Sequence, residues 1–476
     1  MASKRDQLQA YQFLVQRAIS ALVTRETDPE QPPFRRPVGA AFASIALAVV
    51  SLAGVGVYGM IKPGGNDSWK SASAVIVEKE TGTRYVYLND KLYPVANYTS
   101  ALLLLGQHSA TEQVSANSLA GVPRGPRIGI PDAPDALPTS DRLLTGSWSL
   151  CSAPAADVAG SQIEQSVLLA GADPSGGSAL GDNALLVQLT STGDRYLIWR
   201  GYRHRIDDYE TVGTGLSLKS EPWARVDQAW LDVLPEGAPI GPLPVPDSGT
   251  PSTAVPGRGD ILTGMLLLVE TNGGGKQYYL AEKDALRPIT ELQYDVQLAS
   301  SRLMSAAYPG AVPSATQLAP ALAAASRQLD PVAAAPESAP PARPTIARLT
   351  DESTAVCATF DPGQASPRMT VGPSLPAADT TTAGRSADGT PLADRVYVPP
   401  GSGALAESMP SAQAPEGTLV LVTDMGRRYS LSSPDVLKVL GYEASSAVKL
   451  PAGLVARVPE GPGLDPDVAK EQTVGG

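Results

Sequence analysis

The sequence is short of the side chains that usually carry chemistry. Its 476 residues include two histidines, two cysteines and 5% aromatics. The histidines, His108 and His204, and the cysteines, Cys151 and Cys357, lie far apart, so there is no clustered ligand set for zinc. The same scarcity leaves no Ser/His/Asp constellation that spacing could support. His204 falls in the basic polar run Tyr202-Arg203-His204-Arg205 and reads as a surface residue. Positive charge is in deficit: Lys and Arg number 37 against 48 Asp and Glu, a formal net charge of −11. That balance argues against a nucleic-acid binder, which needs a basic face for phosphates. A phosphate loop, G-x-x-x-x-G-K-[ST], is also missing. The nearest run, Gly273-Gly274-Gly275-Lys276-Gln277, has Gln277 where the metal-holding hydroxyl belongs and Glu270 in place of the first glycine. Nothing in these residues demands catalysis or a cofactor.

Long apolar runs are scarce too, and the one present organises the chain. Val38 to Ile61 contains neither a charge nor a proline. As a helix it would be about 36 Å long, enough to cross a hydrocarbon core of roughly 30 Å. It is too long and starts too late for the apolar part of a secretory signal, so an uncleaved anchor is expected. Lys4, Arg5, Arg17, Arg25, Arg35 and Arg36 precede it, whereas Lys62 and Lys70 follow it. The positive-inside rule then puts the N-terminus in the cytoplasm and the large C-terminal part outside. Cys151 and Cys357 both fall on that outer side, where an even count favours a disulfide over two buried free thiols. In the arm, Ser3-Lys4-Arg5-Asp6 reads as a helix start and Asp28-Pro29 as its stop. Between them Leu8, Tyr11, Val15, Ile19 and Leu22 form one apolar stripe, suited to docking on a partner beside the membrane. Pro32, Pro33 and Pro37 make a stiff link into the span.

Beyond the span one pattern recurs: an apolar strand, a turn ending in Gly, then a strand opening on Arg/Gln-Tyr. It is seen at Gly82, Arg84, Tyr85; at Gly193, Arg195, Tyr196; at Gly275, Tyr278; and at Gly426, Arg428, Tyr429. Each is a hairpin signal. An apolar helical piece often follows, as at Asn97 to Gly106 and Pro434 to Gly441. A proline-punctuated tail comes next, clear in Val122-Pro123, Leu234-Pro235 and Val458-Pro459 but not in the third copy. The expected fold is mainly β with some α, an α+β domain of four small hairpin-containing repeats around a disulfide-tied core. The expected divisions are an arm at 1–37, the membrane helix at 38–61 and repeat 1 at 62–140. The first part of the core follows at 141–180, then repeats 2 and 3 with core segments at 181–330. Linkers and the second core part with Cys357 occupy 331–410, and repeat 4 occupies 411–476. Pro331 to Pro344 and Pro373 to Thr390, rich in Ala, Pro, Ser and Thr, read as disordered or loosely packed linkers.

Several segments resemble the EccB family of the ESX, or type VII, secretion system of actinobacteria. They are Tyr11-Gln12-Phe13-Leu14-Val15-Gln16-Arg17, Ala21-Leu22-Val23 and Pro33-Phe34-Arg35-Arg36-Pro37 in the arm, then Leu119 to Pro131, Gly146 to Cys151 and Ala393 to Leu405. Their order around one membrane span is similar to that family's, although many members carry His-Arg where Tyr11-Gln12 stands. The resemblance implies a structural subunit of a secretion membrane complex, working with EccC-, EccD- and EccE-like partners and with copies of itself. Some members are labelled ATPases, which would make ATP a ligand. The missing phosphate loop speaks against that label. The competing reading is a membrane-tethered cell-wall binder, using exposed Arg84, Tyr85, Arg195 and Tyr196.

Overall fold

The computed structural model describes residues 3–25, 35–61, 68–71, 73–157, 159–330, 335, 337–378 and 380–473. The Asp28-Pro29 stop, the Pro32-Pro33 link and Pro331 to Ala334 of the first linker lie outside them. The chain divides into two compact units, Met1–Leu92 with Thr111–Gly125, and Tyr93–Ala110 with Pro126–Gly476. Helices α1 (Lys4–Thr24) and α2 (Arg35–Ile61) belong to the first.

Strands β1 (Val75–Glu78), β2 (Arg84–Leu88) and β3 (Lys91–Pro94) come next, followed by α3 (Tyr98–Leu105), β4 (Thr111–Val114) and α4 (Ala116–Leu119). Then β5 (Trp148–Ala156), β6 (Gln162–Leu169) and β7 (Ser178–Ala179) enter a larger sheet. The first order of elements comes again in β8 (Leu185–Leu189), β9 (Arg195–Trp199), β10 (Tyr202–Arg205), α5 (Tyr209–Gly215), β11 (Ala224–Val226) and α6 (Gln228–Val233). It returns in β12 (Leu266–Glu270), β13 (Lys276–Ala281), β14 (Leu286–Ile289), α7 (Glu291–Ala299), α8 (Ser301–Ala307), β15 (Thr316–Gln317) and α9 (Pro320–Ala325). Strands β16 (Val356–Phe360), β17 (Arg368–Val371), β18 (Thr380–Thr381) and β19 (Arg395–Tyr397) rejoin the larger sheet. The chain ends on β20 (Gly403–Met409), β21 (Thr418–Thr423), β22 (Arg428–Ser430), α10 (Asp435–Leu440), β23 (Val448–Pro451) and α11 (Ala452–Val455).

The four small sheets share one strand order: β3-β2-β1-β4, β10-β9-β8-β11, β14-β13-β12-β15 and β22-β21-β20-β23. In each, three strands run out, a helical crossover follows, and the fourth strand pairs parallel with the first. A parallel strand cannot follow through a tight turn, which is why a helical crossover stands there. The tail then bridges the third strand in parallel: Leu92 with Arg124, Arg203 with Glu236, Leu286 with Gln328, Arg428 with Glu460. That contact covers an edge that would otherwise invite foreign strands.

These bridges correct the sequence reading twice. The third copy does have its tail: Arg327 to Leu329 brackets Leu286 without the Pro-x-Gly lettering of the others. In the fourth sheet the hairpin of Gly426, Arg428 and Tyr429 is the second, not the first. Its first strand is β20, because β20 is the strand that pairs with β23. Arg428 therefore matches Leu92, Arg203 and Leu286, not Arg84. The turns differ in detail as well. Gly82, Gly193 and Gly426 take positive φ, but in the third hairpin Gly274 does so rather than Gly275.

The larger sheet, β18-β19-β6-β5-β16-β17-β7, holds the two cysteines. Cys151 on β5 lies directly opposite Cys357 on β16, and their sulfurs are bonded with Cα atoms 4.0 Å apart. The bond closes 206 residues, worth on the order of 5 kcal/mol in the chain-entropy account. Strand alternation puts Trp148, Leu150, Val356, Ala358 and Phe360 on the opposite face. There they join Val187, Ile198 and Trp230 of the second sheet and Ala404, Val420 and Leu450 of the fourth in one core. The third sheet keeps its own clusters, around Leu267 and Tyr279 and around Leu266 and Leu280. The first unit has another, around Trp69, Ile76, Tyr85 and Leu92.

Both expected linkers are packed where they are described. Leu375 and Ala378 lie against Val167 and Leu169 of the larger sheet, β18 adds its edge strand, and Arg395 Nη1 donates to the Ala378 carbonyl at 2.7 Å. Farther upstream, Arg343 Nη2 pairs with Glu221 at 2.8 Å and the Pro341 carbonyl accepts from Leu292 N–H. Proline-rich composition here marks extended segments laid on a surface.

Candidate assembly surfaces

The arm is built as a helix from its first residue. Ser3 Oγ accepts from Asp6 N–H at 3.4 Å and Asp6 Oδ2 accepts from Ser3 N–H at 2.9 Å, a reciprocal cap. The helix closes on Arg25 in the left-handed region. Of the expected stripe, Leu8, Tyr11, Val15 and Leu22 are exposed, Leu22 by 84%, and Ile19 is half-buried. Sequence reasoning missed Leu14, 67% exposed, which follows Tyr11 and precedes Ala18 at helical spacing and widens the stripe. In α2 the window Val38–Tyr58 is wholly unburied, about 31 Å of apolar helix. The Ser44 hydroxyl donates to the Ala40 carbonyl at 2.8 Å, so it brings no unmet hydrogen bond into the span.

The hairpin residues are mostly packing. Tyr85 is buried, donates to Glu78 Oε2 at 3.1 Å and has the Arg124 guanidinium 5.4 Å above its ring. Tyr278 is buried and stacks on Tyr294 at 4.6 Å. Tyr429 is buried under Gly461, where a Cβ would come within 2.4 Å of its ring. Burial pushes the phenols of Tyr85, Tyr196, Tyr278 and Tyr429 up, so they remain neutral. Tyr196 is half-buried against the shared core, and Arg195 lies 3.7 Å over the Tyr209 ring. Arg84 is half-buried. Of the Tyr and Arg pairs that a wall binder would use, Tyr85 is buried and Arg84, Arg195 and Tyr196 are half-buried.

His204 is not a surface residue. It has no exposed area, its Nδ1 lies 2.8 Å from the Ala238 carbonyl oxygen, and burial holds its pKa below the usual histidine range. Strand parity decides this: His204 shares a face with Leu197, its β9 partner, which lies in a core around Leu186 and Val212. Gly273-Gly274-Gly275-Lys276 is a turn between two antiparallel strands, and Lys276 opens β13. A phosphate loop leads from a strand into a helix N-terminus, so this run is not one. Among the described residues no three His, Cys, Asp or Glu side chains gather as a metal site.

Residues 1–474 match the family described as "Type VII secretion system ESX-1, transport TM domain B". The chain belongs to the EccB family. It is 28% identical to the ESX-2 secretion system ATPase EccB2 of Mycobacterium tuberculosis, over 98% of this chain and 94% of that protein. It is 31% identical to the ESX-5 secretion system ATPase EccB5 of Mycobacterium marinum, over 61% of this chain and 58% of that one. A chain of the intact ESX-5 inner membrane complex matches all of this chain and 96% of its own length, with a TM-score of 0.62 and 25% identity. The EccB3 dimer of the ESX-3 core complex shares the fold, at TM-score 0.62 and 22% identity over 84% of this chain and 100% of that one. The mainly β, α+β fold with one apolar membrane helix is thus the EccB fold, and the chain is a membrane-anchored type VII secretion protein.

Proposed function

We propose that this subunit is a non-enzymatic scaffold of an ESX export complex. It holds its N-terminus in the cytoplasm and its sheets outside. The divisions at 37, 61, 140, 180 and 330 mark the arm, the anchor and the successive parts of the outer domain, and the last part opens before β20 at Gly403, not at 410. The arm's apolar face docks on EccC-, EccD- and EccE-like membrane subunits, and the outer domain meets further copies of the same chain. The excess of Lys and Arg before the span supports the orientation, and so does a disulfide in the outer part. The observation that carries the reading is the pairing of an exposed amphipathic helix with one apolar helix, ahead of sheets whose hairpin tyrosines are buried or half-buried. No cofactor, ATP included, has a part in this reading.

The test is recovery of the tagged full-length chain from native membranes in mild detergent, beside a form lacking Met1 to Pro37, with partners identified by mass spectrometry. A motor ATPase and multi-span subunits should come with the full chain and be lost without the arm. Recovery of the chain alone in both samples would contradict the proposal.

A further inference from the structure

Cys151 and Cys357 lie in one row of residues that crosses the larger sheet. From strand to strand the row reads Thr370, Cys357, Cys151, Val167 and Arg395. Directly opposed residues point to the same side of a sheet. These side chains therefore share the face turned away from the core of Trp148 and Phe360. Both cysteines are fully buried. The chain itself crosses over this row. It leaves β17 at Val371, runs through Pro373 to Ala378, and pairs next as β18 at the far edge. Leu375 and Ala378 rest on Val167 and Leu169, which fixes the face it crosses. From β17 to β19 it passes β16, β5 and β6, so it spans four inter-strand gaps, roughly 19 Å. The seven steps from Val371 to Ala378 reach roughly 22 Å in the polyproline form, which Pro373 and Pro376 favour. The result is a nearly taut strap laid over the strands that carry the disulfide.

The strap is held mainly at its ends. At one end Ser374 and Ser175 exchange backbone hydrogen bonds of 2.8 and 3.1 Å. At the other, Arg395 Nη1 donates to the Ala378 carbonyl at 2.7 Å while its Nε donates to Gln165 Oε1 at 2.9 Å. Between them Leu375 is half-buried and Ala377 is exposed. The other face of the same strands is locked into the shared core. A cavity of 420 Å³ opens beside the strap, lined by Ala153, Gln165, Ala355, Leu375, Pro376 and Arg395 among others. Ala153 and Ala355 each stand two residues from a cysteine on its own face, about 7 Å along the strand. Opening a lightly held segment of this kind costs less than unfolding the whole.

We propose that the strap from Pro373 to Ala378 is a guard on the Cys151–Cys357 bond: an external dithiol reaches the sulfurs when the strap lifts, while the sheets stay folded. A thiolate of the dithiol attacks one sulfur, the S–S bond breaks, and the other cysteine leaves as a thiolate. The second thiolate of the reagent then displaces the first cysteine from the mixed disulfide. The reagent ends as a disulfide, the protein ends with two thiols, and the protons given up by the dithiol end on them. With the strap down, the bond does not exchange.

The test is the rate at which dithiothreitol reduces the full-length chain in mild detergent at about pH 8, read by alkylating the freed thiols and weighing the protein. Urea is varied below the unfolding midpoint. The wild-type rate should rise far less steeply with urea than global unfolding does, because lifting the strap exposes little surface. Leu375→Ala and Arg395→Met should each speed reduction several-fold and keep that shallow dependence. Their urea midpoints should move too little to account for the gain. A wild-type rate with the full urea slope of global unfolding, or no reduction below the midpoint, overturns the proposal. Variants reduced at the wild-type rate overturn it as well. Should one variant fail to fold, the wild-type slope and the other variant decide.

Discussion

The second and fourth sheets differ from the third in what they do with the same strand order. The second and fourth give Trp230, Val187, Val420 and Leu450 to a core that also contains Trp148 and Phe360 of the disulfide sheet. The third buries Leu267 and Leu280 in clusters of its own. It reaches its neighbour through helices: Leu292 and Val296 of α7 enter the core around Leu186 and Val212. Gly215 on α5 sits so near Asp295 that a Cβ there would lie 2.6 Å from its carbonyl oxygen. The Arg clasp divides the sheets in the same way. Arg203 pairs with Glu236 at 3.0 Å and Arg428 with Glu460 at 2.8 Å, where the third sheet has Leu286 and Gln328. One topology thus builds either part of a fused frame or an appended body, and side chains outside the hairpins decide which.

The comparison breaks most severely at its centre. Trp230→Ala should cost about 3–5 kcal/mol and destabilise the second and fourth sheets together, seen as one shift of the urea midpoint on both sides of the disulfide. Replacing Cys151 and Cys357 by serine should cost about 2–5 kcal/mol and loosen the same two sheets while leaving protection around Leu280 unchanged. Gly215→Leu should cost about 1–3 kcal/mol through overpacking, undocking α7 without melting β12 to β14; limited proteolysis between the second and third sheets would report it.

A pH scan sharpens the comparison within the frame. His204 takes the place that Tyr429 holds in the fourth sheet, each beneath a tail glycine, Gly237 or Gly461. A histidine whose folded pKa is depressed gives stability that is present above its unfolded pKa and lost as pH falls below it. Exchange along Leu234 to Ile240 should therefore quicken below about pH 6, while Val458 to Leu464 stays protected. His204→Phe should remove the difference. At the small end, Lys276→Ala should leave stability within about 0.5 kcal/mol and recovery of partner subunits unchanged. A loss of turnover in any purified complex would reopen the nucleotide reading.

What the sequence made legible was local. The charge-free run from Val38, the Ser3-to-Asp6 cap and the helix from Asn97 to Gly106 depend on neighbours along the chain, and each stands where its signal lies. The strands bearing Cys151 and Cys357 were readable as strands, because apolar alternation marks them. Pairing across distance was not readable. Gly426-Arg427-Arg428-Tyr429 copies the lettering of Gly82-Thr83-Arg84-Tyr85, yet only the β20 to β23 pairing shows that it is one strand out of step. The tail at Gln328 lacks a proline signal because a backbone bridge needs no particular side chain. His204 deceived because the arginines on either side, Arg203 and Arg205, lie on the other face of β10 while it points into the core.

Native-state hydrogen exchange of the full-length chain in mild detergent tests the division most directly. The fused frame should open as one unit, so that strands β8 and β9, together with β20 and β21, share a single high opening free energy, while β12 and β13 exchange through a lower one. A common opening for all of them would contradict the account, and separate openings for the second and fourth sheets would contradict it equally.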